Sequence, residues 1–370
     1  MRTEAAILWE TGTDWSVEEI ELDPPRAGEV LIEMRASGMC HSDEHLRTGD
    51  LPFSPPIIGG HEGAGVVVEV GSGVSWLQPG DHVVGSFIPA CGRCPSCASG
   101  HSNLCDLGAL LGGPGQISDG TPRHHARGKD LGTMCLLGTF ARHTVVSEAS
   151  CIKIDPGVPL DRACLLGCGV VTGWGSAVYA ARTGPADTLV VVGIGGIGAS
   201  ALLGARAGGA KQIVAVDPVE SKRTRALELG ATHTAASLAE AHGLVERITW
   251  GRMANQLIFC MGVGDGRLLA DGLACVGKGG RVVVTNIHPA AESTATISLL
   301  DLTLQEKVVQ GSLFGSANPR ADTPKLLELY AAGQLPLDAL VTNTYPLEKI
   351  NDGYEDMRNG TNLRGVLVFD

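Results

Sequence analysis

Residues 188–217 read TLVVVGIGGIGASALLGARAGGAKQIVAVD, from Thr188 to Asp217. The stretch opens on a β-branched apolar run and breaks at Gly193-Ile194-Gly195-Gly196-Ile197-Gly198. It continues as a small-residue helix over IGASALLGARAG and returns to a second apolar run, QIVAVD. This strand–turn–helix–strand order is the context that the G-x-G-x-x-G fingerprint requires. Glycine permits the tight turn, the close approach of a pyrophosphate and close helix–strand packing. The helix N-terminus then offers free N–H groups and a positive dipole end to the phosphates. Asp217 closes the second run, 24 residues after Gly193. An acid there hydrogen-bonds a ribose 2′-hydroxyl and repels a 2′-phosphate, favouring NAD over NADP. A structural αβ turn closed by a capping-type Asp is the competing reading.

Downstream the rhythm persists. A charged helix over ESKRTRALELG is followed by the apolar strands LIFCMG, RVVVT and VVQGSLF. Alternating buried strands and helices predict an α/β fold, a doubly wound parallel sheet covered on both faces. Helices over TPKLLELYAAG and KINDGYEDMRNG precede a closing strand, RGVLVF, that can return to the first domain. Upstream the pattern is different. EVLIEMRASG, AGVVVEVG and DHVVGSF are short β-like runs split by Gly/Pro turns, which predicts an irregular, mostly β, barrel-like domain. The weakly periodic, Gly-rich segment Leu107–Thr139 reads as a long functional loop.

The chain has 370 residues, which at about 150 residues per domain suggests two domains. With 44% hydrophobic and 18% charged residues it can bury sizeable cores, so disorder is excluded as its main state. A formal charge of −12 repels phosphate backbones and anionic membranes, so nucleic acid is not an expected partner. Ala163–Ala181 and Thr188–Ala205 are long enough for a membrane hairpin. Their glycines, and the switch from strand to turn in the second, favour buried α/β elements instead. The start, MRTEAAILWETG, carries Glu4 and no long apolar run, and the chain reads as soluble and cytoplasmic.

Eleven cysteines in a reducing compartment are not expected to form structural disulfides. Cys91, Cys94, Cys97 and Cys105 make C-x2-C-x2-C-x7-C within CGRCPSCASGHSNLC. Four thiolates in a short loop satisfy tetrahedral zinc and leave no open coordination position, so this site staples a loop. A second constellation is scattered: Cys40 in MCHSDEH, His61 and Glu62 in GGHEGAG, and Cys168 in LLGCGVVTGWG. Two thiolates and an imidazole make a catalytic zinc set with a fourth position open. Taken singly, the cysteines read equally well as buried small hydrophobes and His61 as a hydrogen-bonded core histidine.

These motifs together resemble the zinc-dependent medium-chain alcohol dehydrogenases, over essentially the whole chain. CHSDEH, GHE, the four-cysteine loop, GCGVVTG, GIGGIG with VAVD, and NLRGVL carry the resemblance. It implies a GroES-like, mostly β catalytic domain over 1–170 and 313–370, with a zinc lobe near 91–105, and a Rossmann domain over 171–312. It further implies two zincs per chain, a catalytic one on Cys40, His61 and Cys168 and a structural one on the lobe. The proton relay of the family falls on Ser42 and His45. Asp43 would orient a zinc ligand, and Glu62 would act as a transient alternative ligand. His41 and Arg364 would approach the pyrophosphate, Thr172 the nicotinamide side and Lys222 the adenosine ribose. Phe87 would line the substrate channel. The cofactor loop is Gly193, Gly195, Gly196, Ile197 and Gly198, with Asp217.

The implied reaction interconverts primary alcohols and aldehydes with NAD, in a homodimer or homotetramer. ALLGGPGQISDGTPRHHARGKDLGTMCLLGTF, GCGVVTGWGSAVYAA and GSLFGSANPRADTPKLLELY resemble the actinobacterial nicotinoprotein branch, which holds NAD tightly and recycles it with a nitrosoaniline acceptor. Two other readings compete. Thiol-adduct (formaldehyde-type) dehydrogenases place an acid eleven residues after the first cysteine, where this chain has Leu51, with Asp50 just before it. The non-enzymatic reading is a redox sensor that binds zinc and NAD without turnover.

Overall fold

The computed structural model describes residues 1–51, 53–289 and 292–369. Its contacts divide the chain into two units, Met1–Cys168 with Asn318–Asp370, and Gly169–Ala317. In the second unit, six parallel strands lie in the order His233–Ala235, Gln212–Val216, Thr188–Val192, Ala254–Phe259, Val276–Val284, Val308–Gly311. Numbered along the chain this is 3-2-1-4-5-6, the doubly wound order. Every residue of Thr188–Val192 is buried, as expected for a strand covered by helices on both faces. Full burial of side chains such as Val190, Val214, Leu257 and Ile258 is worth about 1.5–3 kcal/mol each. The strand order reverses beside Thr188–Val192, and at such switch points ligands bind beyond the carboxyl ends of the strands.

The other unit contains a closed barrel, in which Arg2–Leu8, Ser16–Leu22, His124–Ala126, Lys129–Thr133 and Ile57–Ile58 pair in turn. Beside it is a sheet centred on Glu29–Gly38, which pairs antiparallel with Glu62–Val70, His143–Ser147 and Arg364–Val368. The closing strand therefore returns to the N-terminal sheet. Its register sets Val366 opposite Gly38, and Gly38 faces Glu62 on the other side.

Leu107–Thr139 is not one loop. Its second half supplies two barrel strands, His124–Ala126 and Lys129–Thr133. These are too short and too polar to show period-two alternation. Fully buried Arg123 anchors the segment. Its guanidinium donates to both oxygens of buried Glu29, at 2.6 and 2.9 Å, and to Asp119 at 2.9 Å. No single helix among the described residues is long and apolar enough to cross a membrane.

Candidate active site and metal centres

Glu29–Gly38 delivers the chain to Cys40, and the helix His41–Thr48 starts at the next residue. One helical turn thus groups His41, Ser42, Asp43 and His45. The helix stops at Gly49, whose left-handed backbone (φ 84°) favours glycine. Glu62 begins the neighbouring strand Glu62–Val70 and His61 immediately precedes it, while Cys168 follows a short 3-10 turn. Although 128 residues separate the first and last of them, ligand atoms of Cys40, His61, Glu62 and Cys168 all lie within 4.8 Å of one another, buried.

Behind His61, Asp43 Oδ2 stands 3.2 Å from Nδ1. Its other oxygen accepts the Gly60 N–H at 2.8 Å. Such a carboxylate–imidazole pair fixes the ring and turns the second ring nitrogen towards a metal. Ser42 Oγ is 3.6 Å from Cys40 Sγ, and the Phe87 ring meets the His61 ring edge-on at 6.0 Å.

The electrostatics of this cluster suit a cation. A hydrogen bond from Cys168 holds the Cys40 thiol well below its ordinary range, against burial, and raises Cys168 in turn. Burial alone would lower His61, but the Asp43 carboxylate and Cys40 raise it well above its ordinary value. Buried sulfur, imidazole and carboxylate donors at this spacing fit zinc.

Glu62 also accepts a hydrogen bond from Arg364 Nη2, and both side chains are out of solvent. The Arg364 guanidinium, expected near a pyrophosphate, therefore stands beside the Cys40–His61–Cys168 cluster. His45 is buried with Nδ1 3.0 Å from Asp50 Oδ2, and its ring centroid is 5.1 Å from that of half-buried His41. Asp50, met in the sequence only as the neighbour of Leu51, is thereby tied to His45, a contact the sequence did not show, and Gly38 was not singled out there. A legible signal for Asp50 was Gly49, a helix stop that folds the next residue back over the last turn.

In the lobe, Cys91 and Cys97 sulfurs are 3.9 Å apart and those of Cys94 and Cys105 4.0 Å. A tetrahedron with Zn–S near 2.3 Å has sulfur edges of about 3.8 Å. Backbone N–H groups of Cys91, Cys94 and Cys97 donate to Cys105, Cys91 and Cys94 sulfurs respectively. Cys94 caps the helix Pro95–Ala98 that carries Cys97. The N–H of Arg93 above all pulls the Cys91 thiol down to about 6, whereas burial pushes Cys105 up to about 12. The lobe fits a closed structural zinc. Cys135, Cys151, Cys164, Cys260 and Cys275 are buried thiols raised first of all by desolvation, which makes them poor nucleophiles.

In the other unit, Gly193 takes φ 88°, and a Cβ on Gly195 would project into open space at the mouth of the turn. That is the room a pyrophosphate needs. The helix Gly196–Ala207 has no side-chain cap, so its first N–H groups, on Gly196, Ile197 and Gly198, are presented to the turn. Asp217 Oδ2 accepts the Ile194 N–H and Oδ1 the Val219 N–H, at 2.8 and 2.9 Å. Lys222 is half-buried on the helix Glu220–Glu228, and Thr172 is buried on Gly169–Gly175. Arg223, which the sequence did not single out, donates to the carbonyls of Asp217 and Pro218.

A mostly β unit with a buried Cys/His metal cluster, joined in one chain to a doubly wound unit with a dinucleotide turn, defines a metal-dependent dehydrogenase. Comparison with known proteins narrows the class. Residues 26–156 match the alcohol dehydrogenase GroES-like domain, and residues 196–332 the zinc-binding dehydrogenase family. The chain is 51% identical over 368 residues to the NDMA-dependent alcohol dehydrogenase of Amycolatopsis methanolica, covering 100% of this chain and 99% of that protein. It is 50% identical over 370 residues to alcohol dehydrogenase B of Mycobacterium tuberculosis, with the same coverage. Among solved structures, benzyl alcohol dehydrogenase from Acinetobacter calcoaceticus superposes with a TM-score of 0.92 at 31% identity, with 100% of both chains covered. The chain belongs to the zinc-dependent alcohol dehydrogenases, and its substrates are small alcohols and aldehydes.

Proposed function

We propose that the protein oxidises primary alcohols to aldehydes, reversibly, with NAD, and that it retains the cofactor between turnovers. One observation carries the active-site reading: Cys40, His61 and Cys168, from three distant segments, converge within 4.8 Å with Asp43 behind the imidazole. In this reading these three residues hold the catalytic zinc, and Cys91, Cys94, Cys97 and Cys105 hold the structural one. Bound zinc and NAD supply the Lewis acidity that makes an alcohol hydroxyl acidic and the acceptor for its hydride.

The chain's own residues do the rest. Two thiolates and a neutral imidazole would cancel the dication's charge. Ser42 Oγ takes the hydroxyl proton onto a path that ends at His45. Phe87 gives the substrate an apolar wall beside His61. Glu62 stands by as an alternative ligand, restrained by Arg364. Asp217 holds the ribose, and the open mouth of the turn at Gly195 receives the pyrophosphate.

Cofactor retention is supported by the likeness to the Amycolatopsis enzyme, whose name records its dependence on NDMA. The thiol-adduct reading is disfavoured, because Asp50 is engaged with His45. Homo-oligomerisation is supported by the terminal strand Val308–Gly311, which has one open edge, and by Leu299, Leu300 and Leu304 exposed on the preceding helix. We place the enzyme in the cytoplasm.

Native mass spectrometry tests the composition: a discrete oligomer with two zincs and one retained NAD per chain is expected. Cys40→Ala should lose one zinc equivalent and all turnover. Retained activity in that variant would overturn the active-site assignment.

A further inference from the structure

The proton path of the proposed mechanism ends on a histidine that water does not reach. The His45 side chain is 2% exposed, whereas that of Asp50 is 34% exposed. Gly49 turns the chain back at the end of the helix His41–Thr48, so that the Asp50 N–H donates to the His45 carbonyl at 3.0 Å. The Asp50 carboxylate is thereby laid over the imidazole. Its Oδ2 stands 3.0 Å from His45 Nδ1 and accepts from Thr48 Oγ1 at 2.7 Å. These two hydrogen bonds, Thr48 first, hold the carboxyl below its ordinary range, with the charges of His45 and His41 acting in the same direction. Glu44, the neighbouring acid on the helix, is tied instead to Arg47 and Arg358. Asp50 is thus an ionised group with one side on a buried imidazole and the other on solvent.

We propose that Asp50 is the proton outlet of His45, a positioning residue that fixes the ring with its proton on Nδ1 and connects it to water. This rests on the alcohol-oxidising reading, with Ser42 and His45 as the path. During oxidation one proton enters the ring at Nε2. One leaves Nδ1 along the hydrogen bond to Oδ2 and passes to water, so each alcohol oxidised releases one proton, and aldehyde reduction runs the path inward. Once the product has left, the ring regains its starting tautomer through the two ends of the path, Asp50 returning a proton from water to Nδ1 while Nε2 gives one up through Ser42 to water in the vacated substrate site. A buried imidazole without such a group would stay protonated and stall the path.

The test uses the full enzyme loaded with zinc and NAD, with benzyl alcohol as the probe substrate. Asp50→Asn keeps the size of the side chain and removes its charge. It should lower kcat about tenfold at neutral pH, less than the roughly 10²-fold or more of a group that exchanges a proton with the reacting atoms themselves, with KM and zinc content unchanged. Added imidazole, a mobile proton carrier, should restore most of that loss. His45→Gln should be slow as well, and the double variant no slower than His45→Gln alone. Wild-type turnover in Asp50→Asn beside a slow His45→Gln would overturn the outlet and leave the path standing. A loss that imidazole does not restore, and that adds to that of His45→Gln, would reduce Asp50 to a structural role and overturn the proposal. Wild-type turnover in His45→Gln would overturn the path itself, and the outlet with it.

Discussion

Arg364 donates to Glu62 in an ion pair closed off from solvent, and Gly38 provides the room for it. A Cβ on Gly38 would land on the Glu62 carboxylate and lie 3.1 Å from the Arg364 guanidinium. The three residues are neighbours because two strands flank Glu29–Gly38 in register. The pair sits beside the Cys40 and Cys168 thiols, so a positive charge is held next to two groups that can become anionic. Arg364→Met should cost about 3–5 kcal/mol, because it strands a buried carboxylate. The double variant Glu62→Gln, Arg364→Met should recover most of that loss. Urea midpoints of the three proteins decide the matter, and additive losses would mean that the pair is not the source. Gly38→Ala should cost about 1–3 kcal/mol by overpacking the same place.

His124 sets an acid limit on the barrel. It is fully buried, and Nε2 lies 3.2 Å from Thr144 Oγ1. The Thr144 hydroxyl already donates to the Leu137 carbonyl at 2.6 Å, so the imidazole must donate from Nε2. That leaves Nδ1 buried without a partner among the described residues, and a proton placed there would find no acceptor among them. Burial, helped by His125 and Arg123, pushes the imidazole down to about 3. Below its ordinary value of 6.5 the unfolded chain binds a proton that the folded chain refuses. Stability from this group is therefore complete above pH 6.5 and drains away as the pH falls towards 3. At 1.36 kcal/mol per unit the full loss is on the order of 5 kcal/mol. His124→Gln keeps a donor for Thr144 and removes the titration. Its stability should fall less steeply than that of the wild type across this window, and parallel curves would exonerate His124.

The zinc lobe should be separable from the chemistry. Cys94 serves both as a sulfur of the cluster and as the cap of the helix that carries Cys97. Cys94→Ala should drop the metal content from two zincs to one and lower the melting temperature by at least about 5 °C, more than a single surface contact supplies. Protease cutting should appear within residues 91–105. The remaining zinc should stay at Cys40, His61 and Cys168. Loss of both zincs would couple the two sites.

The sheet of the second unit was legible because its strands are buried on both faces and read as uninterrupted apolar runs, TLVVV above all. The four-cysteine lobe was legible for another reason: all its ligands come from one short loop. The Cys40–His61–Cys168 cluster was not derivable from spacing, since nothing local encodes the meeting of three distant segments. The residue types suggested it, and resemblance decided between it and a set of unrelated core residues. The barrel strands His124–Ala126 and Lys129–Thr133 escaped because they are held by polar burial, notably Arg123 on Glu29, which no hydrophobic period records. Asp50 escaped because its role depends on the left-handed turn at Gly49, which brings it back onto His45.

Asp217 does two jobs that mutation can separate. Its two oxygens anchor the N–H groups of Ile194 and Val219, so it fixes the dinucleotide turn to the strand Gln212–Val216 whether or not a ribose is present. In the proposed reading the same carboxylate opposes a 2′-phosphate. Asp217→Asn keeps one acceptor for the backbone and removes the charge, whereas Asp217→Gly loses both anchors. Each orphaned N–H costs about 1–3 kcal/mol, so stability should fall from wild type through Asn to Gly. Discrimination against NADP should fall in both variants, by at least about tenfold, equivalent to 1.4 kcal/mol. Titration of cofactor-stripped protein with NAD and NADP, alongside urea denaturation, reads the two effects independently. Graded stability with unchanged discrimination would leave Asp217 a structural residue of the turn and move the choice of cofactor elsewhere, with Arg223, seated on the Asp217 carbonyl, the first residue to examine.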